Sequence, residues 1–279
     1  MRRLNYALWS VLVMFLAFGF TSCNTEDEPQ VDEISDDVLA QFTDLGFDVS
    51  DIQMVNHHNP ITGVSSKQYL LEGDILISET QRREMLDSDI FHIGAVGEQY
   101  RTNNLVSNNQ TIRVLGYTGG SYALDNTMRT ALQWAVNNYN RLNIGLNFTL
   151  AFGTSTGSYD MVVYKTSGGG GGSAGFPSGG NPYKWINILS GTSSYGTNTT
   201  EHVITHEMGH CLGLRHTDYF NRSLSCGSGG NEGDGGVGAV HIPGTPTGFD
   251  ANSVMLSCFS ANEDGEFGNY DEVALEYLY

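Results

Sequence analysis

The run His206-Glu207-Met208-Gly209-His210-Cys211-Leu212-Gly213-Leu214-Arg215-His216 constrains this chain more than any other feature. Histidines four apart share one helical face, about one turn from each other. His206 and His210 can therefore present imidazole nitrogens to one cation. Gly213 follows three residues later, and helices commonly end at glycine, which enters the left-handed conformation without steric cost. The chain can then turn and bring His216 round as a third ligand. Three histidines leave one position open on a tetrahedral zinc ion, the pattern of a catalytic site rather than a closed structural one. Glu207 stands beside the metal, where it can take a proton from bound water. The short His-Glu-x-x-His form arises by chance in roughly one in 100 chains of this composition, and the extended form far more rarely.

The extended motif resembles that of the metzincin metallopeptidases. Metzincins carry a methionine turn beneath the metal, and Ser253-Val254-Met255-Leu256-Ser257 fits it, with Met255 as an apolar floor and not a ligand. Within that group the chain is most similar to the bacterial dual-action HEIGH-type metallopeptidases. The residues that carry the likeness are Thr205 to Gly213, Arg215-His216-Thr217-Asp218, the stretch ending Ala174-Gly175-Phe176-Pro177, and His241-Ile242-Pro243-Gly244-Thr245-Pro246. Astacin-like enzymes have a tyrosine two residues after the turn methionine; Ser257 stands there, so no tyrosine ligand is expected.

The resemblance implies an α+β fold. Its catalytic domain has a mixed twisted sheet, a backing helix and a zinc-ligand helix, then a small C-terminal subdomain with the methionine turn. It also implies a zinc-dependent endopeptidase acting on extracytoplasmic proteins, with Glu207 as general base and then acid. Two rival readings are a surface zinc-binding protein without peptidase activity and a zinc hydrolase of a non-protein substrate.

The chain opens as an export signal, with Arg2 and Arg3 before an almost wholly apolar Leu4 to Phe20. Phe20-Thr21-Ser22-Cys23 resembles a bacterial lipobox, with Phe20 where leucine is usual. Cys23 would then carry the lipid, and multiple acyl chains give a stable anchor. An ordinary cleaved secretory signal is the alternative. The acidic Glu26-Asp27-Glu28 resembles the surface-export signal of Bacteroidota lipoproteins, which places the protein on the outer membrane, facing outward. Loss of residues 1–22 removes two arginines and moves the formal net charge from −18 to −20. Nucleic acids and anionic membranes need clustered Lys and Arg, so neither is expected as a partner. The expected partners are a protein or peptide substrate and the membrane reached through Cys23.

Three cysteines remain after export: Cys211, Cys226 and Cys258. Cys226 with Cys258 is the favoured pair, with Cys211–Cys226 the alternative, and one thiol stays over.

Residues 23–36 read as an acidic tether. Residues 37–108 read as an N-terminal region, either a propeptide or a permanent small domain. Val38, Leu39, Phe42 and Leu45 have helical spacing up to Gly46, and Lys67 to Ser78 reads as strand. A pro-segment could present an aspartate to the zinc, although no residue identifies itself in that role; Arg101 is a candidate processing point. The catalytic domain spans 109–279. Its predicted strands are Thr111–Tyr117, Ile144–Leu150, Asp160–Lys165 and Lys184–Leu189. A helix follows an N-cap at Ser121, and a second begins at Asn198 with Glu201 closing a capping box. Ser167–Gly180 is a glycine-rich loop, flexible or else an approach of bare backbone to substrate. The family likeness puts an edge strand just before the ligand helix to pair with extended substrate, and Lys184–Leu189 occupies that place. Specificity would lie in Thr217–Asn231 and Ser257–Asn269. Asn262–Asp271 is read as a solvated acidic loop, with Ca2+ binding the weaker alternative. A short helix ends the chain over Asp271–Tyr279.

Overall fold

In the computed structural model, which describes residues 34–45, 47–86, 99–229, 240–246 and 248–279, the first helix is capped by Ser35. The expected export signal, Cys23 and Gly46 lie outside those residues. Helix α1 (Asp36–Asp44) buries Phe42. It leads to strands β1 (Gln53–His58), β2 (Ser65–Leu71) and β3 (Ile75–Ser78), which form an antiparallel sheet in that order. The expected strand region Lys67–Ser78 is a hairpin of β2 and β3. Its Glu72-Gly73 tip takes positive φ at both residues (56° and 92°), as tight turns matched to strand twist do. Helix α2 (Glu79–Leu86) closes this part. Its core holds Phe42, Leu45, Phe47, Tyr69, Leu71, Ile75 and Ile77, joined by Phe176 from much later in the chain.

Strand β4 (Tyr100–Arg101) precedes β5 (Gln110–Tyr117), helix α3 (Asn126–Arg141), β6 (Leu146–Gly153), β7 (Met161–Thr166), β8 (Gly172–Ser173) and β9 (Trp185–Leu189). Among the described residues, β5 to β9 form one sheet in the order β6-β5-β7-β9-β8, with β8 antiparallel to its neighbour and the others parallel. The expected mixed sheet is present. The edge strand is not Lys184–Leu189, however. Strand β9 is enclosed between β7 and β8, and the edge comes from the glycine-rich loop. A two-residue strand in a run of glycines has no alternation to read, so sequence period missed it.

Two expected caps also move. Helix α3 starts at Asp125, whose side chain accepts from Met128 N at 3.0 Å; Ser121 lies in a 3-10 turn before it. Helix α4 (Thr197–Leu212) has Gly196 at its N-cap, and Glu201 turns away to Asn138 Nδ2 at 2.9 Å. A buried amide is a better partner for that carboxylate than an exposed helix end.

Every residue of α4 from Thr199 to Leu212 is buried, packed between α3 and the C-terminal part of the chain. That part includes α5 (Ser223–Cys226), β10 (Val240–His241) and α6 (Asn269–Leu278). It joins the main core through Ile242, Val254, Met255, Ala274 and Leu275. The Cys226–Cys258 disulfide forms, leaving Cys211 buried and free. Among the described residues no helix is long and apolar enough to cross a membrane.

Residues 99–108 pack against the later part of the chain. Tyr100–Arg101 pairs with β10. The buried Gln99 side chain donates to Asp271 Oδ1 at 2.8 Å, and Tyr100 O accepts from Arg215 N at 2.8 Å.

Candidate metal centre and cleft

Helix α4 puts His206 and His210 one turn apart. It stops at Gly213, whose φ of 105° is the left-handed conformation the reversal needs. The chain then returns His216. Each Nδ1 faces an oxygen: His206 to Val254 O at 2.9 Å, His210 to Leu214 O at 2.9 Å, His216 to Glu72 Oε2 at 3.1 Å. These oxygens only accept, so Nδ1 carries the proton and a neutral ring keeps its lone pair on Nε2. The Nε2 atoms of His206 and His210 are 3.0 Å apart. Asp74 Oδ2 lies 3.5 Å from His206 Nε2 and 3.3 Å from His216 Nε2. Lone pairs that converge in this way repel one another unless a cation lies among them. One ligand atom from each of Asp74, His206, His210 and His216 falls within 4.8 Å of all the others. The donor set fits a metal ion.

Glu207 is buried beside this group. Burial raises its pKa well above the ordinary carboxylate value, and the charge of Asp74 adds to the effect. A dication works in the opposite direction. Burial also lowers His210, with the neighbouring His206 and His216 adding to it, which keeps the ring neutral and ready to ligate.

The model for the dual-action HEIGH metallo-peptidase family matches residues 69–279. The chain belongs to that family. Family membership makes it a metallopeptidase and its substrate a protein or peptide. Two solved structures of myroilysin are similar to it. One is 14% identical with a TM-score of 0.37, covering 60% of this chain and 78% of its own. The other is 15% identical with a TM-score of 0.38, covering 68% and 100%. A search of curated proteins gives no match.

Two glycines in this HEIGH metallopeptidase are dictated by space. A Cβ on Gly209 would stand 2.5 Å from Met255 Sδ, so the glycine of the motif lets the methionine lie against the ligand helix. Met255 is fully buried, and its carbonyl accepts from Thr217 N at 2.9 Å. A Cβ on Gly172 would stand 2.7 Å from Glu207 Oε1. The edge strand therefore comes up to Glu207 as bare backbone.

Glu72 and Asp74 were not identified from sequence. The signal was present: Glu72-Gly73-Asp74 interrupts two apolar runs, which is where a hairpin turn belongs. The Glu72 carboxylate is fully buried. Burial opposes its charge, but Arg215 Nη2 at 2.7 Å and His216 outweigh that and lower its pKa. Arg215 also lies over the Phe47 ring at 4.3 Å. The turn's next residues run along the edge strand: Ala174 N donates to Asp74 O at 3.0 Å, and Leu76 N to Ala174 O at 2.7 Å. A cavity of about 510 Å³ opens here, lined by Asp74, His206, Glu207, Arg222, Ser257 and Phe259 among others.

Proposed function

We propose that this chain is a zinc-dependent endopeptidase of extracytoplasmic proteins, kept latent by its own N-terminal segment. The convergence of three imidazoles beside a buried Glu207, on a cleft edged by β8, carries this reading. Three nitrogens and one oxygen are the donors that tetrahedral zinc takes. Bound there, zinc would supply an acidified water and a Lewis acid toward the scissile carbonyl. Glu207 takes the proton of the attacking water on its carboxylate and passes it to the leaving nitrogen. Strand β8 offers its backbone to an extended peptide. Met255 is read as the methionine turn of a metzincin, packed on Gly209.

Asp74 stands where the fourth ligand belongs, so no water can be activated until it leaves. The segment 72–77 fills the edge-strand site in the same way. The part that departs ends before Gln99, because Gln99 and Tyr100 are built into the core around Asp271 and Arg215. A cut at Arg101 would divide a strand of the retained domain. The export signal and Cys23 support an outer-membrane lipoprotein facing outward.

Two observations favour a second reading. With Asp74 in place the centre has four protein ligands, as structural zinc sites do, and the family match takes in Asp74. In that case the segment stays and the protein binds zinc without cleaving peptides.

The deciding experiment uses the soluble chain from Asn24 onward, before and after limited proteolysis, on an unbiased peptide mixture. Bound zinc is measured alongside. The expected result is cleavage only after proteolysis. Glu207→Ala should keep its zinc and lose about 10²–10⁴-fold in turnover. A zinc-loaded chain that cuts nothing, either with the segment in place or after its removal, selects the second reading.

A further inference from the structure

The N-terminal segment satisfies a row of backbone groups along the edge at and beyond β8. Ala174 N donates to Asp74 O, Ala174 O accepts from Leu76 N, and Phe176 O accepts from Gln81 Nε2 at 3.2 Å. Ala174 and Phe176 are alternate residues of the chain, and both turn these groups toward the segment. An extended peptide is what such a row takes up once the segment leaves. The segment also covers the Phe176 side chain, which is 3% exposed. That ring stands 5.6 Å from the His210 ring and 6.1 Å from the Phe47 ring. It belongs to the segment's apolar core, together with Phe47 and Ile77. Both polar atoms of the Asn103 amide are buried without a hydrogen-bond partner. Asn103 and Phe176 line one narrow cavity with Ile77 and Gln81 of the segment.

We propose that Phe176 and Asn103 form a subsite that selects substrates with an aliphatic or aromatic side chain ahead of the cut bond. The proposal rests on the peptidase and latency readings above. The segment itself is the stand-in for substrate here, since it packs Phe47 and Ile77 with Phe176. Its departure uncovers the Phe176 ring, and an apolar substrate side chain that covers the ring again recovers the lost burial. Asn103 stays behind, because Thr102 N donates to Gly213 O at 2.8 Å, at the end of the ligand helix. A side-chain amide carries donor and acceptor together, as a peptide unit does. The backbone of an incoming chain therefore supplies the partners that Asn103 lacks, and leaving a buried amide unpaired is unfavourable. The side of the cut follows from strand polarity. Gly172 faces Glu207, which places the cut bond there. A peptide added antiparallel, the more stable pairing, runs from Phe176 toward Gly172. Its residues ahead of the cut bond then lie on Phe176. The segment runs parallel to the edge through Ile75 and Ala174, so it holds the same subsite in the opposite direction.

The test maps cuts in an unbiased peptide mixture by the chain from Asn24, activated by limited proteolysis. Wild type, Phe176→Ala, Phe176→Leu and Asn103→Ala are compared, with zinc content and melting measured for each. The expected wild-type result is enrichment of aliphatic and aromatic residues by about tenfold at one position ahead of the cut, the scale of burying one large apolar side chain. Phe176→Ala should lose the enrichment, and Phe176→Leu should keep most of it. Asn103→Ala should keep it and raise KM roughly threefold to tenfold with kcat little changed, the scale of one neutral hydrogen bond. Wild-type cuts with no apolar preference, or with one only after the cut, overturn the proposal whether or not the variants fold. So does a preference that survives in folded Phe176→Ala. An unchanged KM in Asn103→Ala overturns the part given to Asn103. Cuts without preference leave the peptidase reading standing, whereas no cuts by wild type end both.

Discussion

Asp74 Oδ2 lies 3.3 Å from His216 Nε2, although 142 positions of sequence separate the two residues. A carboxylate from the tip of an N-terminal hairpin thus completes a three-histidine group on a helix and its following turn. The hairpin tip is pinned by Glu72, buried on Arg215 and His216.

Asp74→Ala opens the fourth position without removing the segment. The uncut variant is expected to cleave a short peptide at least ~10-fold faster than uncut wild type, since one coordination position becomes free for water. It should also release zinc faster to a mild chelator. Peptide hydrolysis and metal release, each measured before any proteolysis, check this. Unchanged metal release would exclude Asp74 as a ligand.

Gly209→Ala places a Cβ 2.5 Å from Met255 Sδ. Overpacking of this kind costs about 1–3 kcal/mol. Met255→Ala in the same chain makes room, so the double variant should recover most of the added loss. Chemical denaturation of the four chains in this cycle measures the coupling. Strictly additive effects would mean that the two residues do not meet.

Glu201 sits on the ligand helix against Asn138. Burial, and then the charge of Glu266, push its pKa from 4.5 up to about 7. Between those pH values the folded chain keeps a proton that the unfolded chain has lost, so stability falls as pH rises through the window. Glu201→Gln keeps an oxygen acceptor for Asn138 and does not titrate. Wild type and variant should melt alike near pH 4.5, and the variant should melt roughly 3 °C higher at pH 8. Thermal scans across that range decide it; a gap that does not change with pH would rule out Glu201 as its source.

Much of the candidate site was legible because its parts are local. His206, Glu207, His210, Gly213 and His216 lie within three turns of helix and one reversal, where spacing alone dictates which side chains can meet. Strands β5, β6, β7 and β9 were legible for the same reason: apolar residues cluster in short runs. The Cys226–Cys258 pair was favoured because Cys258 closely follows Met255, but Cys211–Cys226 stayed open until the fold paired Cys226 with Cys258. Other features were not legible. Strand β8, Gly172–Ser173, is too short to form a pattern. Glu201 carries the marks of a capping box but has a better partner in Asn138, which only folding brings near. Nothing in the order of residues shows that Gln99 bonds to Asp271 or Tyr100 to Arg215, since only folding brings them together.

The order of residues alone determined helix α4 with its paired histidines, its stop at Gly213, the glutamate beside the first histidine and the family to which they belong. These depend on helical period and on the φ that glycine permits, both local properties of the backbone. The tertiary structure alone decided that Asp74 faces the metal centre, that Glu72 is buried against Arg215 and His216, that bare glycine backbone approaches Glu207, and that Arg222 borders the cleft. Those pairings join residues far apart in the chain. Burial and charge compensation choose them from many candidates, and no spacing in the sequence records that choice.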